Sequence, residues 1–381
     1  MEGTNSMDLM ESRKQIDEID EQITELFQKR MLVSEEVAKY KMKTGKKVFD
    51  KERENQKLDT LEQYADNEFN KQGIRELFSQ IMSISRKRQY GMITQEKEEA
   101  FTVKEKIDGA GKRVVFYGER GSYTEQAMQE FFGEEIEAFN AMTFREVMEA
   151  VKNGDADFGV LPIENSSTGG IDDNLDLLIE YNHYIVGEQV IKINQCIMGL
   201  PGARLDSIKK VYSHAQGLLQ SKRFLDTYPN MKRIQHMSTA TSAKKVKEDG
   251  DPTQAAIAGK QAAGCYGLSI LKENINYEAT NFTRFIVISK ERFYVKGADK
   301  ICISFLLPHE CGSLYNILSH FIFNNLNMTK IESRPIEGRK WEYRFFVEFE
   351  GNLSQPGVTN ALNGIREETS ECRLLGNFMT K

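Results

Sequence analysis

The sequence predicts a multidomain chain, with an all-α N-terminal region, an α/β middle region and an α+β C-terminal region. All seven prolines lie beyond residue 160, and only four of the 28 glycines fall in the first hundred residues. Because both residues disfavour helix interiors, such a stretch is typical of long helices. Beyond residue 112, strand-like segments alternate with small polar turns and helical segments, a pattern that indicates α/β and α+β folds.

Composition and short motifs exclude several classes of protein. With 381 residues the chain is too long for one ordinary domain, and 40% hydrophobic with 28% charged residues is a globular composition. A net charge of −6 argues against nucleic acid, and no apolar run reaches the roughly 18 residues of a membrane span. Walker A, H-E-x-x-H and G-x-G-x-x-G strings are missing, so we expect no cofactor and no metal.

The cysteines and the first residues predict a cytoplasmic protein. The cysteines are odd in number, widely spaced and without a C-x-x-C pair, as expected of reduced thiols. They are Cys196, Cys265, Cys302, Cys311 and Cys372. The acidic segment over residues 1–13 lacks the apolar core of a signal peptide.

The first hundred residues predict three helices, over residues 8–43, 50–65 and 74–95. Apolar residues recur at helical spacing along the first helix: Ile16, Ile19, Ile23, Leu26, Val33 and Val37. At 1.5 Å per residue this helix is about 50 Å long, and its two shorter successors cannot cover such a stripe. We therefore expect a homodimer, or a higher homo-oligomer, in which the long helices cover each other.

Charged and polar residues continue the apolar faces of these helices. On the first helix, three cations lie where buried residues belong. On the second, two carboxylates and an arginine share a face through their i, i+3 and i+4 spacing. Because a buried charge needs a partner, two interpretations are open: salt bridges between helices with extended side chains, or a small dianion held in the bundle. The residues concerned are Arg13, Arg30, Lys41, Asp50, Arg53, Glu54, Ser85 and Gln89.

In the spacing of these eight residues, the helical region resembles the all-helical chorismate mutase family over residues 7–95. The resemblance implies a rearrangement of chorismate to prephenate with no covalent intermediate and no cofactor. The physical chemistry agrees, because folding a substrate with two carboxylates into a chair is an orientation problem that fixed cations can solve.

The resemblance also implies a role for each residue. Lys41 and Gln89 hydrogen-bond the ether oxygen, where negative charge develops as the C–O bond breaks. Gln89 is neutral and can donate at any pH. The other positions bind substrate: Arg13 from the partner chain, Arg30 and Arg53 at the carboxylates, Asp50 and Glu54 at the hydroxyl, and Ser85 in the pocket wall.

After a charged linker over residues 97–111, the middle region repeats a strand, a small polar turn and a helix. Such repeats predict an α/β architecture with a mostly parallel sheet. The turns lie at residues 118–124, 164–170, 213–216 and 238–243. Ser, Thr and Gly at helix starts have two interpretations, ordinary N-capping or an anion-binding cleft. His214 is no better a candidate for catalysis than for a structural histidine.

Residues 112–292 are similar to the prephenate dehydratase family in four strings, which are P-I-E-N-S-S-T-G-G from residue 162, Y-S-H from 212, T-S-A from 241 and N-F-T-R-F from 281. The resemblance implies a two-lobed, periplasmic-binding-protein-like fold with prephenate between the lobes. It implies that Thr283 is the acid that helps to expel the ring hydroxyl and that Arg284 supports a carboxylate. The alternative for Thr283 is a threonine that merely begins a strand. The other implied cleft residues are Glu164, Asn165, Ser166, Thr168, Ser213, Gln220 and Ser242.

The last eighty residues predict the order βαββαβ of a ferredoxin-like unit. This segment resembles ACT regulatory domains, which bind amino acids at dimer interfaces. The marker Glu332-Ser333-Arg334-Pro335 of phenylalanine-sensing members is intact. A second marker, of the form Gly-Ala-Leu-Val, reads Gly312-Ser313-Leu314-Tyr315, and this departure puts effector affinity or selectivity in doubt. A purely structural lobe is the alternative.

Together these features predict a bifunctional enzyme that converts chorismate to prephenate and prephenate to phenylpyruvate, with L-phenylalanine as allosteric inhibitor. The predicted boundaries are 1–96 for the mutase domain, 112–292 for the dehydratase domain and 298–379 for the ACT domain. A sensor or carrier without catalysis is the rival in another class, but it would not need Lys41, Gln89 and Thr283 together. Coupling to prephenate oxidation would require a dinucleotide motif. Arogenate stays open as an alternative dehydratase substrate.

Overall fold

The computed structural model describes residues 9–93, 101–171, 173–277, 280–336 and 338–381. These residues form two compact units. The first unit lies within Met1–Glu98, Ser304–Phe345 and Leu353–Arg373. The second lies within Glu99–Ile303, Phe346–Asn352 and Leu374–Lys381. The predicted domain boundaries stay a prediction.

Helices and strands are numbered in chain order. The helices are α1 (Leu9–Thr44), α2 (Lys51–Glu62), α3 (Glu68–Met92), α4 (Tyr123–Phe132), α5 (Phe144–Asn153), α6 (Asp173–Tyr181), α7 (Ala215–Gln220), α8 (Lys222–Leu225), α9 (Thr239–Asp249), α10 (Lys260–Tyr266), α11 (Ser313–Phe323) and α12 (Pro356–Glu368). The strands are β1 (Thr102–Lys104), β2 (Arg113–Tyr117), β3 (Glu137–Ala141), β4 (Phe158–Asn165), β5 (Gly169–Gly170), β6 (Tyr184–Lys192), β7 (Cys196–Gly199), β8 (Lys210–Ser213), β9 (Lys232–Gln235), β10 (Gln254–Ala258), β11 (Ser269–Lys272), β12 (Phe282–Ser289), β13 (Phe293–Val295), β14 (Lys300–Leu306), β15 (Met328–Pro335), β16 (Tyr343–Glu350) and β17 (Ser370–Phe378). A 3₁₀ turn covers Leu205–Ser207.

The first three helices agree with the predicted ones in number and order, and differ at their ends. Asp50 caps α2, because its carboxylate accepts a hydrogen bond from the backbone N–H of Arg53 at 3.0 Å. Helix α3 begins earlier than predicted, because the side chain of Asn67 accepts from the N–H of Asn70 at 2.8 Å and caps it. The predicted end of this helix at Gln95 lies outside the described residues.

Besides the two-stranded pair of β1 and β13, the described part of the second unit contains two larger sheets, which we call its two lobes. In the first lobe the strand order is β17-β6-β12-β4-β2-β3, and β5 pairs with the end of β4. Apolar residues alternate between the two faces of this sheet, with Leu161 and Ile286 in one core cluster and Val160 and Phe285 in another. The second lobe has the order β11-β7-β10-β8-β9.

The prediction of a mostly parallel sheet is wrong. The pairs β2–β3, β2–β4, β8–β9 and β8–β10 are parallel, but β12 is antiparallel to both β4 and β6, and β7 is antiparallel to β10 and β11. The physical reason is that the chain passes from the first sheet to the second between β6 and β7 and returns between β11 and β12. The returning strand β12 enters the first sheet from the opposite end to β4.

The predicted linker over residues 97–111 contains a strand. Strand β1 pairs in parallel with β13, and the ammonium of Lys104 lies 3.8 Å from the centroid of the Phe293 ring. Strand β1 pairs with a segment almost two hundred residues away, so the β-branched Thr102 and Val103 are its main local indication of a strand. The charged residues around them therefore favoured the prediction of a linker.

The C-terminal segment follows the predicted order β14-α11-β15-β16-α12-β17, and its strands are hydrogen-bonded in the order β15-β16-β14-β17. Gly376 of β17 pairs with Ile185 of β6, and a Cβ at this glycine would lie 2.1 Å from the carbonyl oxygen of Ile185. Only glycine therefore permits this close approach of the two strands. Among the described residues, no helix combines the length and the apolar character that a membrane crossing requires.

Candidate active sites

A cavity of about 300 Å³ lies among the first three helices, and we call it the helical cavity. It is lined by Arg30, Val33, Ser34, Val37, Lys41, Val48, Asp50, Arg53, Glu54, Lys57, Met82, Ser85, Arg86 and Gln89. Seven of the eight residues predicted for the mutase site are in this set, and the eighth, Arg13, is not. The packing of these helices brings together residues that are up to 59 positions apart, from Arg30 to Gln89.

The start of α2 places three of these residues on the cavity wall. Asp50 is the N-cap, so Arg53 and Glu54 lie in the first turn and share its face. The ammonium of Lys41, on α1, donates to the carbonyl oxygen of Val48 at 2.6 Å. Burial lowers the pKa of Lys41 below the usual lysine range, although Asp50, Glu367 and Glu54 oppose this shift.

Helices α1 and α3 hold two further polar pairs. The guanidinium of Arg30 donates to the hydroxyl of Ser85, and that hydroxyl donates to the carbonyl oxygen of Ile81 at 2.9 Å. The side-chain amide of Gln89 donates to the hydroxyl of Ser34 at 3.1 Å. Within the described part of the chain, the Oε1 atom of Gln89 is buried without a hydrogen-bond partner. Because such an atom is costly to leave unpaired, it points to a polar ligand in the cavity.

The lining of the helical cavity carries more positive than negative charge. Its cations are Arg30, Lys41, Arg53, Lys57 and Arg86, and its carboxylates are Asp50 and Glu54. Burial lowers the pKa of Arg30, and Glu54 partly offsets this effect. An excess of cations in a partly buried cavity favours a ligand with two negative charges.

Arg13 lies on the exposed part of α1, together with the apolar stripe of that helix. Ile16, Ile19 and Ile23 are 56%, 54% and 51% exposed, and Leu26 is 64% exposed. Nothing in the single chain covers this face of α1 among the residues described. The prediction that Arg13 comes from a partner chain therefore stays a prediction.

A second constellation joins the end of β4 to the start of β12 and consists of Asn165, Asn281 and Thr283. We call it the Thr283 site. The Oδ1 atom of Asn165 accepts from the backbone N–H groups of Ser167 at 3.0 Å and Thr168 at 3.2 Å. The Nδ2 atom of the same amide donates to the hydroxyl oxygen of Thr283 and to Oδ1 of Asn281, both at 2.8 Å.

This network sets the direction of the Thr283 hydroxyl. A backbone N–H can only donate, so the amide oxygen of Asn165 must face Ser167 and Thr168, and its N–H₂ must face Thr283. The Thr283 oxygen accepts from Asn165, which leaves the hydroxyl hydrogen free to donate elsewhere. The geometry therefore presents Thr283 as a hydrogen-bond donor, which an acid needs.

Two protein-family models match the chain, chorismate mutase type II over residues 12–90 and prephenate dehydratase over residues 114–293. The bifunctional chorismate mutase/prephenate dehydratase of Aquifex aeolicus (strain VF5) is 32% identical over 381 residues, covering 97% of this chain and 98% of that protein. The chain belongs to the bifunctional chorismate mutase/prephenate dehydratase family. It is an enzyme with a chorismate mutase domain and a prephenate dehydratase domain.

Two solved structures are also similar. A prephenate dehydratase from Arthrobacter aurescens in complex with L-Phe is 31% identical with a TM-score of 0.65, covering 70% of this chain and 89% of that one. A structure described as a quorum quenching acylase, GqqA, is 26% identical with a TM-score of 0.66, covering 71% of this chain and 98% of that one.

Arg284 differs from the expectation for a residue of the dehydratase cleft. It follows Thr283 on β12, so its side chain points to the opposite face of the sheet. Its guanidinium is paired with the carboxylates of Glu164, Glu188 and Glu348. The charge of Arg284 is therefore neutralised within the chain, and its predicted role as a ligand of a substrate carboxylate stays a prediction. Glu164 likewise faces Arg284 and not the Thr283 site.

Other predicted cleft residues fall into two groups. Ser166 and Thr168 are exposed beside the Thr283 site, where Ser166 donates to the carbonyl oxygen of Thr280 at 3.1 Å. The second group lies in the other lobe and is buried: Ser213, Gln220 and Ser242. The hydroxyl of Ser213 donates to the carbonyl oxygen of Ile257 at 2.7 Å and that of Ser242 to the carbonyl oxygen of Ser238 at 2.6 Å.

The crossing segments connect the two groups. Gln220 accepts at Oε1 from Gln195, at 3.3 Å, in the first crossing, and the N–H of Ile193 in the same crossing donates to the carbonyl oxygen of Asn281 at 2.8 Å. Of the four polar turns, those at Ser122, His214 and Ser238 cap helices α4, α7 and α9. The turn after Asn165 begins the short strand β5 and not a helix.

The predicted effector residues lie in the first unit. Gly312 caps α11 with a φ of 80°, which a residue with a side chain rarely adopts, and Ser313 and Leu314 begin that helix. Glu332, Ser333 and Arg334 belong to β15. Their role as an effector site stays a prediction.

Sequence reasoning missed several residues at these sites, among them Ser34 and Lys57 in the helical cavity. Arg86 lines the helical cavity, Asn281 belongs to the Thr283 site, and Glu188 and Glu348 neutralise Arg284. Helical spacing could have indicated Arg86, because it lies three residues before Gln89 and therefore on the same face of the helix. No local pattern could have indicated Glu348 as a partner of Arg284, since the two residues are 64 positions apart in sequence.

Proposed function

We propose that this enzyme makes phenylpyruvate from chorismate in two steps at two sites, and that L-phenylalanine inhibits it through the C-terminal segment. The observation that carries the proposal is the helical cavity, which gathers seven predicted substrate contacts around a space of about 300 Å³. The donor orientation of Thr283 supports the second step.

In the first step, the helical cavity holds chorismate in the conformation from which the C–O bond breaks as the new C–C bond forms. Arg30 and Arg53 bind the carboxylates, and Asp50 and Glu54 bind the hydroxyl. Lys41 and Gln89 then donate to the ether oxygen as negative charge develops there. No proton is transferred, so the contribution of the protein is orientation and electrostatic stabilisation.

We propose further that the enzyme is a homodimer whose partner supplies Arg13. Two facts support this proposal: the apolar stripe of α1 is exposed in the single chain, and Arg13 lies on the same helix outside the helical cavity. Pairing two long helices along such a stripe would bury it, which is the usual way for an apolar helix face to leave water.

In the second step, the ring carboxylate of prephenate leaves as CO₂, and its bonding electrons move into the ring as the C–O bond to the ring hydroxyl breaks. Thr283 donates its hydroxyl proton to the departing oxygen, which leaves as water, and Thr283 then regains a proton from solvent. Because aromatisation drives the step, a hydroxyl of ordinary acidity suffices. Asn165 holds this hydroxyl as a donor. The cleft contacts on the other lobe are Ser213, Gln220 and Ser242.

For regulation, we propose that residues 298–379 form an ACT-type domain that binds phenylalanine at Gly312, Ser313, Leu314, Glu332, Ser333 and Arg334. The element order and the strand order β15-β16-β14-β17 support the ferredoxin-like assignment. The Arthrobacter aurescens enzyme, which was solved in complex with L-Phe, gives a reason to test this amino acid.

The test is to incubate the protein with chorismate, without cofactor, and to follow prephenate and phenylpyruvate separately. Lys41→Ala is expected to abolish mutase activity while dehydratase activity on supplied prephenate survives, and Thr283→Ala is expected to do the reverse. Loss of both activities in either variant would contradict the two-site proposal. Comparing prephenate with arogenate as supplied substrate decides between the two dehydratase substrates. Insensitivity to millimolar phenylalanine would refute the proposed inhibition.

A further inference from the structure

Arg86 connects the helical cavity to the C-terminal segment. Its guanidinium donates to Glu54, a cavity residue, and on its Nε edge to Glu368 at 2.8 Å. The Arg86 and Glu368 side chains are 7% and 5% exposed, so both charges lie almost entirely out of water. Glu368 is the last residue of α12, 282 positions along the chain from Arg86.

The end of α12 presents two carboxylates to the helical region. Glu367 accepts from the backbone N–H of Phe49 at 2.9 Å, immediately before the N-cap Asp50. Glu368 also lies 3.2 Å from His320, and the hydroxyl of Tyr90 donates to it at 3.4 Å. Carboxylates are unfavourable at a helix C-terminus because the helix dipole is negative there. The favourable interactions that hold Glu368 in place must therefore come from Arg86 and its neighbours.

Two carboxylates share this one guanidinium. The Phe49 ring lies 4.8 Å from the Arg86 guanidinium and covers it. Burial alone would raise the pKa of Glu368, but His320 and Arg86 lower it to about 2, so Glu368 is charged at neutral pH. If the charge of Glu368 were absent, the Nε edge of Arg86 would be released, and Arg86 could bind both carboxylate oxygens of Glu54 and withdraw that carboxylate from the cavity.

We propose that Glu368 is a positioning residue for the mutase reaction: by holding the Nε edge of Arg86, it limits the contact between Arg86 and Glu54 to one carboxylate oxygen, Oε2, and leaves the other oxygen for the substrate hydroxyl. The mutase site is then complete only when the end of α12 is packed against α3. This inference rests on the proposed mutase site and adds to it a residue from the segment assigned to regulation. Glu368 does not touch substrate and acts through Arg86.

The experiment uses the full chain with Glu368→Gln, Glu368→Asp and a matched control, Glu310→Gln. Glu310 pairs with Lys51 at 2.6 Å, but both side chains are 52% exposed, so this ion pair should contribute little. We expect Glu368→Gln to raise the KM for chorismate by about tenfold with a smaller change in kcat, since one charged hydrogen bond is redistributed. Glu368→Asp keeps the charge and should restore KM to within about threefold of the original value. Glu310→Gln should leave KM unchanged.

A double-mutant cycle tests whether Glu368 acts on the mutase site through Arg86. In an Arg86→Gln background, Glu368→Gln should change KM by less than about twofold, because the guanidinium that contacts both Glu368 and Glu54 has been removed. A full tenfold effect in that background would overturn the inference, as would an unchanged KM in Glu368→Gln or equal KM values for the Gln and Asp variants. The Asp variant decides the matter if the Gln variant does not fold. Wild-type chain that fails to consume chorismate would refute the proposed function itself, and this inference with it.

Discussion

Replacing Asn165 with aspartate should reverse the hydrogen bond that orients Thr283. The two side chains have nearly the same shape, so Oδ1 of the new residue can still accept from Ser167 and Thr168. The other atom changes from a donor to an acceptor. Thr283 must then donate its hydroxyl hydrogen to residue 165 and can no longer donate it to the substrate. Asn281 can adapt by an amide flip, because its Nδ2 is buried without a partner among the described residues.

The size of the effect follows from this competition. A hydrogen bond to a charged group is worth about 1.5–3 kcal/mol, which corresponds to a factor of about 10 to 150 in rate. An acid in the transition state contributes about 10² to 10⁴. We therefore expect Asn165→Asp to lower the dehydratase kcat by about a hundredfold, close to the loss in Thr283→Ala.

The assay measures phenylpyruvate formation from supplied prephenate, with mutase activity of the same sample as an internal control. Asn230→Asp, on an exposed loop, is the matched control for the added charge and should retain full activity. The double variant with Thr283→Ala should be no slower than Thr283→Ala alone. If Asn165→Asp keeps its melting temperature and stays within threefold of wild-type activity, the donor argument is refuted.

Three further predictions concern charge and assembly. Burial lowers the pKa of Lys41, so its ammonium should lose its proton, and mutase kcat/KM should fall, as the pH rises toward the usual lysine pKa but before reaching it. Lys41→Gln should be slower than wild type and should not show this decrease on the alkaline side of a pH–rate profile. Arg284→Met should destabilise the fold by about 3–5 kcal/mol in chemical denaturation at neutral pH, since it leaves Glu348 buried without Arg284 and leaves Lys300 as the cation that still pairs with the buried Glu188. Burial alone would raise the pKa of Glu188, but Arg284 and Lys300 lower it, so the wild-type advantage should shrink as the pH falls through that lowered pKa. Ile23→Glu should give a monomer by light scattering with lost mutase activity and intact dehydratase activity; a dimer with full mutase activity would contradict the proposed assembly.

The resemblance to chorismate mutases decided between ion pairs and a ligand site, but local spacing indicated which residues share the faces that line the helical cavity. Its residues lie on three consecutive helices, and helical periodicity determines which of their side chains share a face. The same rule places Arg86 beside Gln89, but the partner of Arg86 comes from α12 and has no signal in the local sequence. Ion pairs between distant segments depend on tertiary packing, which periodicity does not describe.

Direction within the sheets was less predictable than the existence of strands. The segments that form β2, β4, β8 and β9 were predicted from their apolar runs and following turns. Whether β12 runs parallel or antiparallel to β4 depends on the two crossings between lobes, which no short pattern specifies. The register that places Thr283 opposite Asn165 follows from that direction, so the resemblance implied Asn165 and Thr283 but neither Asn281 nor the hydrogen bonds among the three.

The two sites differ in the charge that they present to substrate carboxylates, and the two reactions give a reason for this difference. The mutase reaction keeps both carboxylates, so cations that bind them in the ground state also hold the transition state, and the helical cavity supplies an excess of cations. The dehydratase reaction destroys a carboxylate, and a cation bound to that group would stabilise the substrate more than the transition state. On this argument, turning Arg284 to the far face of β12 and neutralising it with three glutamates benefits the second reaction. In the proposed mechanism, Thr283 is a neutral donor held by a neutral amide, so it would assist the leaving hydroxyl without stabilising the departing carboxylate.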